Sequence, residues 1–372
     1  MFFRYLGDGF KLPTRNSEEP KKLGVNFMEK PNFRTEILRT LEGKAPAQIP
    51  VGTFTTAPVL ELMDLCGAAR PEADSQPEKM ALLAFSQYVN ASFETLRYPF
   101  DMVVLGEALG CAVDPGTKAR TPAVLSVPLE SSSVIPELPE DLLERGRVPA
   151  VLKATEILRE KAGSNLPLIV GMEGPADLAT YLCGATRFLK WTIKRPHIVT
   201  RLIDLCTDAC IMYAKECLKS GADIIVIADA VSSPDMISPE AFRALIKPGM
   251  TRIPKSLGGG GGKSVLHICG AADPIIADMA ECGFDGLSLE EGVKNLKTAV
   301  ETAHESGVAV IGSVSTSRTL FRGSPADVKK EAFTCLESGV DILAPGCGIA
   351  PETPLRNLKA LVEARNEFCG RR

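Results

Sequence analysis

Ser220-Gly221-Ala222-Asp223, Cys282-Gly283-Phe284-Asp285 and Ser338-Gly339-Val340-Asp341 repeat one pattern, and each joins a stretch of helical periodicity to a short apolar run. Ser306-Gly307-Val308 is a weaker copy. Glycine after a helix supplies the left-handed residue that closes it, and so brief a link into an apolar run matches the αβ loops of barrels. Successive units lie about thirty residues apart, the size of one βα repeat.

Outward from these links, eight apolar runs read as strands: Ile49 to Phe54, Met102 to Gly106, Leu168 to Met172, Ile224 to Ala228, Val265 to Cys269, Gly286 to Leu289, Val308 to Val314 and Ile342 to Ala344. Helical periodicity separates them, as in Ile198-Leu202-Ile203-Leu205-Cys206-Ala209. Alternating strands and helices imply an α/β fold with a parallel sheet. Eight such units predict a closed (β/α)8 TIM barrel; an open doubly wound sheet is the rival, weakened by the lack of a GxGxxG after the first strand. Residues 1–31, rich in Lys, Glu, Pro and Asn without periodicity, read as an N-terminal extension, and residues 32–372 as a single barrel domain.

A net charge of -4 from 42 basic and 46 acidic residues offers neither a polycationic face for nucleic acid nor a basic amphipathic run for membrane. Eleven cysteines, an odd number scattered through apolar contexts, read as reduced thiols of a cytoplasmic protein. The N-terminus has no apolar run suited to a signal core, and no stretch is uninterrupted enough for a membrane span. The Gly258 to Gly262 run before Lys263-Ser264 fails as a phosphate-binding loop. Leu257 stands where the pattern needs its first glycine, and Lys263-Ser264 enters a strand instead of opening a helix.

Within Ser264-Val265-Leu266-His267-Ile268-Cys269-Gly270, alternation along a strand puts His267 and Cys269 on one face. Such a pair also suits a buried core. Cys347, in Ala344-Pro345-Gly346-Cys347-Gly348 at a distant strand end, would complete one imidazole and two thiolates. Three protein ligands with an open position is the arrangement of catalytic zinc. The other strand ends carry Glu107, Glu173, Asp229, Glu290 with Glu291, and Ser313 with Ser315, and barrel chemistry gathers at those ends. Glu290, ending the strand beside the His-x-Cys strand, is the candidate exchangeable fourth ligand, and Glu291 points the other way. Zinc held by two thiolates is a modest Lewis acid suited to holding another thiol as a nucleophilic thiolate, which points to alkyl transfer to sulfur.

The segment Ser264 to Gly270 with Cys282-Gly283-Phe284-Asp285-Gly286-Leu287-Ser288, then Leu343 to Pro351, Thr353-Pro354-Leu355 and Asn357-Leu358, resembles the methylcobamide:coenzyme M methyltransferases of the uroporphyrinogen decarboxylase superfamily. Gly171-Met172-Glu173-Gly174-Pro175, Ile227-Ala228-Asp229 with Ser233-Pro234-Asp235, Glu107-Ala108-Leu109-Gly110-Cys111 and Glu61-Leu62-Met63-Asp64 extend the likeness from about Phe33 to the end. The resemblance implies a (β/α) barrel and zinc on His267, Cys269 and Cys347. It also implies transfer of a methyl group from a methylcorrinoid, carried by a partner protein, to coenzyme M in the cytoplasm of a methanogenic archaeon. The N-terminal extension, the glycine run and Ser313-Val314-Ser315 depart from the pattern. Glu107, Glu173 and Asp229 are then expected to position substrate or orient ligands. The backbone amides of Gly171 to Gly174 or the hydroxyls of Ser313 and Ser315 are the candidate donors to the sulfonate.

Two other readings are a metal-independent lyase of the uroporphyrinogen decarboxylase type and a non-catalytic corrinoid- or zinc-binding paralogue. The first needs an arginine-rich N-terminal segment, where this chain has only Arg4, Arg15 and Arg34. The second leaves the acid-lined mouth without a purpose.

Overall fold

The structure, a computed structural model, describes residues 32–129, 134–258 and 261–371. The expected N-terminal extension, including Arg4 and Arg15, and Gly259 and Gly260 of the glycine run lie outside the described residues.

Seven strands form one wholly parallel sheet: β1 (Leu96–Tyr98), β2 (Leu168–Glu173), β3 (Ile224–Ala228), β4 (Lys263–Ile268), β5 (Gly286–Leu289), β6 (Ala309–Val314) and β7 (Ile342–Pro345), side by side in chain order. Helices return the chain between them, among them α1 (Phe33–Leu41), α2 (Pro77–Ala91), α3 (Val104–Ala108), α4 (Val148–Ala162), α5 (Pro175–Cys183), α6 (Pro196–Lys219), α7 (Lys247–Leu257), α8 (Ile276–Glu281), α9 (Leu296–Glu305), α10 (Pro325–Glu337) and α11 (Leu355–Cys369). A separate antiparallel pair joins Ala112–Asp114 to Ala123–Ser126. Among the described residues no helix is long and apolar enough to cross a membrane.

The repeated Gly-x-Asp links have a clear physical role. Gly221, Gly283 and Gly339 close their helices at φ 115°, 88° and 91°. Each Asp then clamps the preceding strand at one residue through two bonds. The Asp223 amide donates to the Leu168 carbonyl (2.9 Å) while its carboxylate accepts the Leu168 amide (2.8 Å). Asp285 grips Ser264 (2.9 and 2.8 Å) and Asp341 grips Val310 (2.9 and 2.7 Å) in the same way. The repeat therefore sets register, which in a sheet fixes the face every later side chain occupies.

Both faces of the sheet are buried, which is why its strands read as continuous apolar runs. Leu168, Val170, Met172, Ile225, Ile227, Leu266 and Ile268 pack under the helices. Ile169, Ile224, Val226, Val265, Ala309, Ile311, Ile342 and Ala344 form a second, inner core with Phe54 and with Ile37 and Leu41 of α1. Arg34 of α1 meets Asp223 at 2.7 Å, fixing that helix at the N-terminal ends of the strands.

Two expected strands differ. Met102 to Gly106 is a loop running into α3; the ladder is made earlier, by Leu96–Tyr98 against Leu168–Val170. Ile49 to Phe54 makes only a single bridge, Val51 to Leu343 of β7, with Gly52 N to Leu343 O at 3.2 Å and Leu343 N to Pro50 O at 2.9 Å. On the other side Glu94 N donates to Val51 O at 2.8 Å. Pro50 has no amide to donate. The Val51 and Thr53 amides go to side chains, Glu94 Oε2 at 2.8 Å and Thr95 Oγ1 at 2.9 Å, so no ladder extends here. The expected eight-stranded barrel is thus seen as a curled sheet of seven strands, with this segment in contact with both edges.

Lys263 and Ser264 do open a strand, and Lys263 Nζ meets Asp285 at 3.1 Å.

Candidate metal centre at the strand ends

His267 lies near the end of β4, Cys269 just beyond it, and Cys347 just beyond β7. Among the described residues they form one group of potential metal ligands whose donor atoms all lie within 4.8 Å of one another. His267 Nε2 is 3.2 Å from Cys269 Sγ, and Cys269 Sγ is 3.5 Å from Cys347 Sγ.

Local structure orients each donor. His267 pairs with Ser288 across the β4–β5 ladder, and its Nδ1 is 3.0 Å from the Ser288 carbonyl. A carbonyl can only accept, so Nδ1 carries a proton and Nε2 is the ring nitrogen that faces the sulfurs. Thr55 Oγ1 donates to the Cys347 carbonyl at 2.7 Å, tying that loop to the first strand-like segment. The Cys269 thiol, donating to Cys347, holds the Cys347 thiol down to about 4 against the opposing pull of burial, and His267 adds to the effect. That same hydrogen bond, with burial, pushes Cys269 far up. Two sulfurs and one imidazole are a soft donor set that suits zinc.

Glu290 stands outside this close group. Its Oε2 accepts the Gly270 amide, and burial raises its pKa, with the Cys347 sulfur also contributing. Gly270 has φ 78°, and a side chain there would strike Asp235, whose carboxylate accepts the Ala271 amide at 3.1 Å. The loop leaving the His-x-Cys strand is therefore gripped from two sides. Glu291, expected to point the other way from Glu290, accepts from Ser315 Oγ at 2.7 Å and Thr316 N at 3.2 Å, and its Oε2 is buried beside Gly346 without a partner among the described residues.

The remaining expected residues are mostly committed to backbone. Glu173 ends β2 fully buried, and its Oε1 accepts the amides of Leu105 (2.7 Å) and Gly106 (2.9 Å) in α3 while Oε2 has no partner among the described residues. Burial pushes it up to about 7. Asp229 accepts the Ala176 and Asp177 amides at 3.1 and 2.8 Å, at the start of α5. Glu107 does not end a strand: it lies in α3 and pairs with Arg147 at 2.6 Å. Ser315 is engaged with Glu291, and Ser313 lies against the Cys335 thiol of α10. Gly171 is held in the β2–β3 ladder, and the Gly174 amide donates to the Ala228 carbonyl at 2.6 Å. The Gly174 amide and the Ser315 hydroxyl are therefore already engaged within the protein.

Sequence reading missed Asp177, which accepts the Ala230 and Val231 amides at 3.1 and 2.8 Å, and Arg97, buried in β1. Asp177 resembles any acid in a first helical turn. Arg97 carried a signal, a lone charge between Leu96 and Tyr98, both wholly buried.

The uroporphyrinogen decarboxylase (URO-D) family profile matches residues 32–368. The methylcobamide:CoM methyltransferase MtaA of Methanosarcina barkeri is 45% identical over 338 residues, covering 90% of this chain and 98% of that protein. MtbA of Methanosarcina acetivorans, also a methylcobamide:CoM methyltransferase, is 32% identical over 335 residues, with 90% and 98% coverage. A solved methyltransferase from Methanosarcina mazei superposes with a TM-score of 0.88 at 43% identity, covering 91% of this chain and all of that one. The parallel sheet and the matches over nearly its whole length together place the chain in the uroporphyrinogen decarboxylase family, in its methylcobamide:CoM methyltransferase branch.

Proposed function

We infer that this protein is a methyltransferase that moves a methyl group from a methylcob(III)amide to the thiol of coenzyme M, giving methyl-coenzyme M and cob(I)amide, a step of methanogenesis. The observation that carries this reading is the convergence of His267, Cys269 and Cys347 within 4.8 Å, in a chain 45% identical to a methylcobamide:CoM methyltransferase. These three residues would hold zinc, with Glu290 as exchangeable fourth ligand through Oε1, since Oε2 is on the Gly270 amide. Bound zinc would keep an acceptor thiol ionised near neutral pH yet nucleophilic.

The chain's own groups prepare this. The Ser288 carbonyl fixes the imidazole tautomer, and Cys347 is already the favoured thiolate of the sulfur pair. In the transfer the sulfur–carbon bond forms as the cobalt–carbon bond breaks, both electrons remain on cobalt, and the thiol proton leaves to solvent. The methylcorrinoid would arrive on a partner protein. Closure of the sheet by the Ile49 to Phe54 segment into a (β/α)8 barrel spanning residues 32–372, with residues 1–31 as an extension, is part of the same reading. A cytoplasmic setting suits eleven cysteines that are all free.

The test is loss of the methylcobalamin spectrum on adding coenzyme M to protein of measured zinc content. Zinc-loaded protein that leaves methylcobalamin intact would sink the proposal.

A further inference from the structure

Resting on the methyltransferase reading, we propose that the guanidinium of Arg97 is the anion-binding group of the acceptor pocket and holds the sulfonate end of coenzyme M. Arg97 is the middle residue of β1. Its neighbours Leu96 and Tyr98 pack into the outer core, and its ladder partner Ile169 belongs to the inner one, so the Arg97 side chain points to the inner face. There it is 1% exposed. The guanidinium lies against Gly171 of β2, where any Cβ would collide with it, Nη2 first. This strand glycine leaves the space through which the cation reaches inward.

The cation is poorly matched by its surroundings. Nη1 donates to the Pro99 carbonyl, Nη2 reaches the weak acceptor Met102 Sδ at 3.3 Å, and Nε has no partner among the described residues. Among the described residues no carboxylate forms an ion pair with it. Asp101, the carboxylate whose charge acts on it, is gripped by Arg147 through two bonds of 2.6 and 3.1 Å. Glu173 and Asp229 each hold two backbone amides. Burial lowers the Arg97 pKa only to about 10, so the group stays charged at neutral pH.

A buried charge without a counter-ion is costly and persists where a ligand supplies the missing charge. A sulfonate fits a guanidinium, whose fork of donors matches several oxygens at once where an ammonium offers a point charge. The placement suits a ligand with a thiol at one end and an anion at the other. Cys347 follows β7, β1 carries Arg97, and among the described residues the Ile49 to Phe54 segment lies between those two strands. Of the other candidate donors, Gly174 N and Ser315 Oγ are already bonded to protein.

The test compares methylcobalamin demethylation with coenzyme M, 2-mercaptoethanol and cysteamine, which share a two-carbon thiol and differ in the charge of the far end. The zinc-loaded wild type is expected to favour coenzyme M in kcat/KM. In Arg97→Gln the ratio of kcat/KM for coenzyme M to that for 2-mercaptoethanol should fall about a hundredfold, chiefly through KM, as for loss of a buried charge pair. Gly171→Ala, which keeps the charge but displaces it, should lower the same ratio. Ethanesulfonate, which has no thiol, should raise the Tm of the wild type and not of Arg97→Gln. If the wild type demethylates with none of the thiols, the methyltransferase reading fails, and the ethanesulfonate shift still decides whether Arg97 binds the anion. An unchanged thiol ratio in Arg97→Gln, or equal protection of both proteins by ethanesulfonate, overturns the assignment. Should Arg97→Gln not fold, an unchanged ratio in Gly171→Ala overturns it.

Discussion

Asp177 and Asp229 each hold the start of the other's segment: Asp229 accepts the Ala176 and Asp177 amides, and Asp177 accepts those of Ala230 and Val231. The clasp joins the loops after β2 and β3 beside the metal ligands. Burial, then mutual repulsion, raises the Asp229 pKa, and burial raises that of Asp177. Asp229→Ala leaves two buried amides without acceptors and is expected to cost about 2–4 kcal/mol, against roughly half that for Asp229→Asn, which keeps one acceptor. Urea midpoints measure both, and equal midpoints for Ala and wild type would refute the structural role.

Glu173 gives stability an unusual pH dependence. Its folded pKa is about 7, raised by burial from an ordinary value of 4.5. The folded state therefore binds a proton more tightly than the unfolded chain. The contribution is fully present below about pH 4.5 and is lost as pH rises through about 7, on the order of 3 kcal/mol in all. Glu173→Gln keeps an oxygen for Leu105 and Gly106 and removes the titration. Its stability curve should be flatter between pH 5 and about 7.5, with a gain at the upper end. Parallel curves for the two proteins would contradict this.

What was legible in the sequence followed from repetition and periodicity. The Gly-x-Asp links announce themselves because each performs the same two-bond clamp, and the runs from Leu168 onward are apolar because helices cover one face and the inner core the other. The first part of the chain resists such reading. β1 is three residues long with a charge at its centre, so the more apolar Met102 to Gly106 attracts the assignment, and Glu107 is then misplaced at a strand end. His267, Cys269 and Cys347 stand out by residue type and alternation. The roles of Glu173 and Asp229 do not, because a carboxylate that caps a neighbouring segment and one that meets substrate look alike in sequence. Asp177 is told apart from an ordinary surface charge only by burial, whereas Arg97 is marked by its place as a lone charge between Leu96 and Tyr98.

Metal binding should depend on Cys347 and not on Glu290. Cys347→Ala removes one of two sulfurs and is expected to lose stoichiometric zinc, measured by elemental analysis after dialysis. Glu290→Gln should retain zinc with an altered resting coordination in X-ray absorption spectra. Because Cys347 is already ionised near neutral pH while Cys269 is not, zinc added to metal-free protein should release about one proton from the thiol pair. Stoichiometric zinc in Cys347→Ala would remove that residue from the ligand set.

The edges of the sheet are joined by a buried ion pair. Arg365 of α11 meets Glu94 at 2.6 Å, with side chains only 4% and 6% exposed. The other Glu94 oxygen accepts the Val51 amide at 2.8 Å, and Arg365 also donates to the Ile49 carbonyl. One carboxylate thus holds the first strand-like segment against β1 while its partner ties that segment to the last helix. Removing one member leaves a buried charge alone, so Glu94→Ala is expected to cost about 3–5 kcal/mol. The double variant Glu94→Ala/Arg365→Ala should lose less than the sum of the singles. Hydrogen exchange at Val51 and Gly52 should rise in Glu94→Ala more than at Val226 in the middle of the sheet, because the damage is local to the seam. Uniformly raised exchange across the sheet would mean that the ion pair supports the whole fold and that the seam has no special dependence on it.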